Sequence, residues 1–509
     1  MAFKYYKSFI ELFNENVLEN KDKIAFIDPV LNTNITFSNL QNSSKKIGSF
    51  LTKYNKRNKA VIIYMEKSIN VVISMLSAIY SGNYYTLIDP SMPNDRIKMM
   101  ADTINPFAVI TNSNLVDDAK KAFLGIDVIN FDEAINTNID EEKLDKILKD
   151  MVTTDPIFAI FTSGSSGAPK GTIISHQNLI SYINWYITEF DMTNKTIFGG
   201  QTQFYFSASV SDLYSTLIMG ATYVIIPKLY FSFPIKLVEV MNEYKVNTIY
   251  WVPSALAIVA NLKVFDCAKP EYLEKVLFAG EIMHTKHLNY WRRHINCLYA
   301  NLFGPTETVD ICTFYKVNRE FSDDETLPIG NGCKNVDAMV LDDNDNLVTE
   351  KNAIGELVIR SPFVGLGYYN NKEKTDQAFV NNPLNKAYHE YVYRTGDLVY
   401  YNEFNELMYA GRKDNQIKHM GYRIELSEID VAASSMDKMK ACINIYDKDV
   451  DEIIIIYEGR LTEEEIRNYL ATKVPDYMIP NRYVRVKQMT YNLNGKIDRA
   501  YLKAHYKEL

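Results

Sequence analysis

Cysteine, tryptophan and histidine are scarce in this sequence, with five, three and seven copies among 509 residues. The cysteines, Cys267, Cys297, Cys312, Cys333 and Cys442, show no Cys-x-x-Cys spacing, which argues against a zinc site and a secreted disulfide framework and fits a reducing cytoplasm. A basic excess is also missing. The 63 acidic and 55 basic residues leave a net charge of -8, which favours solubility and gives no footprint for a nucleic-acid partner. No segment approaches the ~18 uninterrupted apolar residues of a membrane span. The N-terminal stretch MAFKYYKSFIELFNENVLENKDK lacks the continuous apolar centre of a signal peptide. A cytoplasmic protein with no membrane partner is expected.

What is present is enough apolar sequence, 47% of residues, for a large core. At roughly 100 to 200 residues per domain, two or three structural units are expected. Short apolar runs at AVIIYM from Ala60, YYTLI, FAVIT after Pro106, NTIYWV ending at Val252, VLFAG ending at Gly280 and LYANLF ending at Phe303 read as buried strands, with helical spacing between them. The fold class is therefore α/β: mainly parallel sheets with helices on both faces, and chemistry in the loops that follow strands. Near Gly411 the charged segment GRKDNQIKHMGYRIELSEID precedes ACINIY, EIIIIYE and EEEIRNYLA. This change of character divides the chain into a large unit, 1–410, and a small α+β unit, 411–509.

The strongest local feature is TSGSSGAPKG, Thr162 to Gly171, which follows the apolar run IFAIF and precedes a helix-like stretch. Glycines admit phosphate oxygens to backbone amides, hydroxyls add donors and Lys170 adds positive charge, so the loop suits a triphosphate. The alternative is a flexible Gly/Ser connector. It is not a Walker A loop, since GxxxxGK[ST] is absent.

TSGSSGAPKG resembles the phosphate-binding loop of the adenylate-forming superfamily, the acyl-CoA synthetases and the adenylation domains of nonribosomal peptide synthetases. ITFSNL from Ile35, SGNYYTLIDPSMPNDRI from Ser81, NLFGPTE from Asn301, GELVIRSPFVGLGYYN from Gly355, YRTGDL from Tyr393, GRKDNQIKHMGYRIEL from Gly411 and NGKIDR from Asn494 are similar to the family's other motifs, in its order. The resemblance implies ATP and Mg2+ as cofactors. It implies ATP binding by Thr162, Ser163, Gly164, Ser165, Ser166, Gly167, Lys170, Gly280, Asn301, Phe303, Gly304, Asp397 and Arg412. Thr306 is expected on the α-phosphate and Glu307 on the metal, a hard cation suited to carboxylate and phosphate oxygens. Phe303, where the family usually has Tyr, keeps a face for adenine. Asp397 offers two oxygens to the ribose hydroxyls, and Lys496 matches the lysine that stabilises transition-state charge. Asp414 matches the hinge about which the smaller unit rotates.

LIDPSMPNDRI, NLFGPTE and NGKIDR look most like peptide-synthetase adenylation domains and stand-alone D-alanine-activating ligases. The expected acceptor is thus the phosphopantetheine thiol of a carrier protein supplied in trans, with free coenzyme A as the alternative. Amino-acid-activating relatives carry Phe-Asp-x-Ser, whose carboxylate pairs with the substrate's α-ammonium; this chain has FSAS, Phe206 to Ser209. Ser207 cannot neutralise a buried ammonium, whose unpaired burial costs on the order of 3 to 5 kcal/mol. An ordinary α-amino acid is disfavoured. Matching by these motifs places Ala208, Ser211, Tyr250, Leu277, Ala279, Leu302, Asp310 and Ile311 around the small carboxylic acid. Asp310 either receives an amine or hydroxyl of the substrate, or faces solvent or a protein cation. Three functions stay open: loading a non-α-amino acid onto a carrier, a D-alanine-type ligase using Asp310, and an inactive nucleotide-binding relative.

Overall fold

The computed structural model describes residues 5–164, 168–414, 416–491 and 497–509. The apolar runs form strands at Ala60–Tyr64, Tyr84–Ile88, Ala108–Thr111, Thr248–Trp251, Lys275–Phe278 and Leu298–Phe303. All five residues of Ala60–Tyr64 are buried, as expected of a parallel strand covered on both faces. A nine-stranded sheet contains the last three strands in parallel register; a seven-stranded sheet contains the first three, also parallel. Helices Ile69–Tyr80 and Ala208–Met219 are buried around nearly their whole circumference. They join residues of both sheets in one core.

A third sheet, of five strands centred on Tyr391–Tyr401, is antiparallel throughout. That strand alternates buried and less buried residues, the pattern of a sheet covered on one face. Beyond it come a two-stranded ribbon, Gln416–His419 with Tyr422–Glu425, and a three-stranded sheet formed by Met439–Asp447, Glu452–Gly459 and Arg482–Arg485. Helices Leu426–Ser434 and Glu463–Leu470 cover the latter with a separate apolar cluster. None of the described helices is long and apolar enough to cross a membrane.

One expected connection differs. The segment after the Gly/Ser loop is not helical: Lys170–Ser175 is a strand paired antiparallel with Pro156–Thr162, and the helix begins only at His176. The β-branched run in KGTIIS finds backbone partners on IFAIF, so the loop closes a hairpin rather than capping a helix.

The turn after Leu298–Phe303 is close-packed. A Cβ on Gly304 would meet the Asp310 carbonyl oxygen at 2.2 Å and the Ile311 Cα at 2.6 Å, both backbone atoms that cannot swing aside. We expect Gly304→Ala to lower stability by about 2 to 3 kcal/mol, read as a shift in the urea midpoint of unfolding; an unchanged midpoint would refute this packing.

Candidate active site

The two hairpin strands place Thr162 opposite Lys170 at the mouth of the Gly/Ser loop. Ser165, Ser166 and Gly167 lie outside the described residues, as does Lys496. Gly164 packs so tightly that a Cβ would meet the Ala168 carbonyl oxygen at 2.0 Å. The Thr162 hydroxyl is buried with no hydrogen-bond partner among the described residues. An orphaned donor beside a lysine fits a phosphate oxygen. Burial pushes the Lys170 ammonium down to about 8, while Glu307 holds it up.

Glu307 is fully buried in the short turn Thr306–Thr308. Its Oε1 accepts from the Tyr368 hydroxyl at 2.6 Å and faces Lys170 Nζ at 3.2 Å; its Oε2 accepts from Arg423 Nη1 at 2.6 Å. Burial pushes this carboxyl up, but Arg423, Lys170 and Tyr368 together hold it well below the usual carboxylate range. It is therefore ionised, as a magnesium ligand must be. No group of three or more His, Cys, Asp or Glu side chains is set to hold a metal among the described residues. A metal here would rest on Glu307, phosphate oxygens and water, the donor set magnesium takes in phosphoryl sites.

Around the expected nucleotide several side chains are already engaged within the protein. Asp397 Oδ1 accepts from Arg412 Nη1 at 2.9 Å, and Arg412 also pairs with Asp414 at 2.6 Å. Two of the residues expected to bind ATP thus bind each other. Phe303 packs against Tyr409, with Lys418 Nζ 4.4 Å above its ring centroid. Asn301 donates to the Pro328 carbonyl at 2.8 Å. A cleft of about 970 Å³, lined by Gly280, Asn301, Phe303, Tyr409 and Arg412 among others, is large enough for a nucleotide.

The expected acid pocket is brought together. Tyr250 pairs with Leu277 across neighbouring strands, and these residues share one core with Ala279, Leu302 and Ile311, with Ala208 packed against it. Phe206 meets Tyr422 edge-on, with 5.1 Å between ring centroids, and Thr306 donates to the Ser207 hydroxyl at 3.2 Å. Asp310 does not face solvent, and it pairs with no cation among the described residues. Its Oδ2 accepts from Ser211 at 2.9 Å, Tyr250 at 3.1 Å and Tyr182 at 3.2 Å. Burial pushes its carboxyl up to about 6, against the pull of these hydroxyls and of Ser207. Val309 precedes it at φ 69°, ψ -60°, and Asp310 N donates to the Thr308 carbonyl at 2.9 Å, closing a γ-turn. A β-branched residue in this strained conformation marks a constrained site.

Several contacting residues escaped the sequence reading. Tyr368, Lys418 and Arg423 lie inside motifs that were singled out, GLGYYN and QIKHMGYRIEL, but carried no assigned role. Tyr182 sits in the helix His176–Glu189 with no sequence signal to distinguish it from a core aromatic.

Comparison with known proteins fits this geometry. The family described as AMP-binding enzyme matches residues 13–369. Zwittermicin A synthase ZmaJ of Bacillus cereus is 29% identical over 97% of this chain and 94% of its own length. A D-alanine–D-alanyl carrier protein ligase of Lacticaseibacillus casei is 29% identical over 96% and 99%. Of some other curated relatives the chain spans only 8% to 11% of the length. The Vibrio cholerae adenylation domain AlmE, solved in complex with glycyl-adenosine-5'-phosphate, shares the fold at a TM-score of 0.84 and 16% identity, covering 100% of this chain and 99% of that one. With the family match running through the phosphate loop, the Glu307 turn and the acid pocket, the chain belongs to the AMP-binding enzyme family and is an ATP-dependent, adenylate-forming ligase.

Proposed function

We propose that the chain activates a small carboxylic acid bearing an amine beyond the α-carbon, releases pyrophosphate, and passes the acyl group to the phosphopantetheine thiol of a separate carrier protein. The observation that carries this reading is the position of the pocket's carboxylate. Ser207 stands where an α-ammonium partner is expected, and Asp310 bonds Ser211, four residues on and on the same helical face. The negative charge is supplied from the segment that follows the Thr306–Thr308 turn instead of from position 207, with Asp310 Oδ2 set against Ser211. A substrate whose carboxylate is held near Thr306 would then meet its charge partner with a more distant amine. Tyr182, Tyr186 and Tyr250 surround this end of the pocket, which favours a short acid.

The remaining roles follow from charge. Lys170 and the buried Thr162 hydroxyl suit the triphosphate, Asp397 and Arg412 the ribose and α-phosphate, and Phe303 the adenine face. Magnesium bound at Glu307 would neutralise phosphate charge as pyrophosphate departs. Lys496 would stabilise the charge that develops between substrate carboxylate and α-phosphate. Rotation of 411–509 against 1–410 about Asp414 would then admit the thiol. The carrier as acceptor is supported by the carrier protein ligase among the relatives. A D-alanine-type ligase is the second reading, since Asp310 could take an α-ammonium reaching it from another side.

Acid-dependent pyrophosphate exchange, run across α-, β- and γ-amino acids and their des-amino counterparts, tests the substrate class. We expect β- or γ-amino acids to be favoured. Asp310→Asn should lower kcat/KM for the favoured acid by about 100-fold or more, with little change for its des-amino analogue. Preference for an α-amino acid, or unaltered selectivity in the variant, defeats the proposal. Thioester formation with a phosphopantetheinylated carrier and with coenzyme A separates the two acceptors.

A pH profile gives an independent check. Asp310 must be ionised to hold an ammonium, so kcat/KM for the amine-bearing acid should fall as pH drops through about 6. That limb should be missing for the des-amino analogue and in Asp310→Asn.

A further inference from the structure

The wall of the acid pocket is carried by an irregular segment. Strand Ile197–Gly200 ends before it, helix Ala208–Met219 begins after it, and residues 201–207 between them include Phe206 and Ser207. Inside the segment Phe206 N donates to the Gln203 carbonyl at 3.1 Å. Its exit runs into the helix, with Ser209 N donating to the Phe206 carbonyl at 3.1 Å and Val210 N to the Ser207 carbonyl at 2.9 Å. Its entrance is held from another part of the chain.

Lys67 supplies that hold from the other large sheet. It lies between strand Ala60–Tyr64 and helix Ile69–Tyr80, and its Nζ donates to the Gly200 carbonyl at 2.8 Å and to the Gln201 carbonyl at 3.4 Å. The same ammonium stands 5.1 Å from the centroid of the Phe204 ring and 5.8 Å from that of Tyr223. One side chain thus grips the segment at 200, 201 and 204. Tyr223 also closes the space over Gly200, where a Cβ would run into its ring. The acids that act on Lys67 are Asp212, in helix Ala208–Met219, and Asp28, in strand Ile24–Asp28, and neither forms an ion pair with it among the described residues. Asp212 Oδ1 accepts instead from the Tyr186 hydroxyl at 3.0 Å. Burial, with the charge of Asp310, pushes the Asp212 carboxyl well above the usual carboxylate range, against Tyr186 and Lys67. A lysine placed for charge balance would sit on one of these acids. Lys67 sits on carbonyls, which bind an ammonium roughly twice as strongly as a neutral donor.

We propose that Lys67 is a positioning residue of the acid pocket: by holding the carbonyls of Gly200 and Gln201 and the face of Phe204, it fixes where Phe206 and Ser207 stand and so how tightly the acid binds. This rests on the reading of Phe206 and Ser207 as part of the acid pocket. The lysine acts through the backbone, and none of these partners was expected to bind ATP. Its charge is the means. Burial pushes the Lys67 ammonium down to about 7, against the pull of Asp212 and Asp28. The grip therefore weakens as pH rises past neutrality, because a neutral amine is the weaker donor and has no attraction for a ring face.

Pyrophosphate exchange with the favoured acid and with its des-amino counterpart provides the test. Lys67→Met, which keeps most of the side chain's length and removes its charge, should raise KM for both acids about 10- to 100-fold, the range of a lost charge-assisted hydrogen bond. Both kcat and KM for ATP should stay within about 2-fold of wild type. In the wild-type protein, KM for the des-amino acid should climb as pH rises through about 7, and in Lys67→Met that climb should be missing. The wild-type profile is read without any variant having to fold. Because the des-amino acid makes no use of Asp310, these readouts stand even where the amine reading of Asp310 fails. Unchanged KM for the acids in Lys67→Met, an equal rise in KM for ATP, or a wild-type profile that stays flat between about pH 6 and 8.5 would each overturn the inference.

Discussion

A carboxylate with no exposure to water sits at the junction of three chain segments, and its charge organises all of them. Glu307 gathers Lys170 from the phosphate hairpin, Tyr368 from the edge of the same sheet and Arg423 from the C-terminal ribbon. Burying one ion alone would be prohibitive, so its partners must be supplied, and each must be delivered by its own element. The hairpin register places Lys170, the pairing of Gly367–Tyr368 with Thr172 and Ile173 places Tyr368, and the ribbon places Arg423. Removing Glu307 would take away the carboxylate that both cations contact directly. The site's electrostatics and the position of the small unit therefore share one origin.

The acid pocket solves the opposite problem. Asp310 has no cation beside it among the described residues; three hydroxyls converge on one of its oxygens, and burial leaves it weakly acidic. Hydroxyls keep a charge in place without cancelling it. A carboxylate satisfied by neutral donors retains a field that a cationic substrate can complete, whereas Glu307 is already compensated from within the protein.

Much of this was legible in the sequence, and the rest was illegible for specific reasons. The parallel strands announce themselves because both faces are buried, so AVIIY and YYTLI read as unbroken apolar runs. The strand KGTIIS opens on lysine and glycine and leads straight into a helix, so its apolar spacing was absorbed into that helix. Motif residues such as Thr306, Glu307 and Asp310 could be placed by position. Their partners could not: Arg423 lies 116 residues from Glu307, and Tyr182 lies 128 from Asp310. Such pairings are products of tertiary packing, and no local spacing encodes them. The engagement of Asp397 by Arg412 was likewise hidden, since each residue had been assigned to a nucleotide rather than to the other.

The hydroxyl cage around Asp310 also bears on how the pocket could diverge. Each of its hydroxyls can turn from donor to acceptor, so an amide at position 310 could be received by the same three groups with no change of volume. The γ-turn at Val309 fixes where that side chain projects, whatever its charge. Substrate preference is thus separable from folding at this position: a single codon could change which acids are accepted while the surrounding aromatic core is inherited intact.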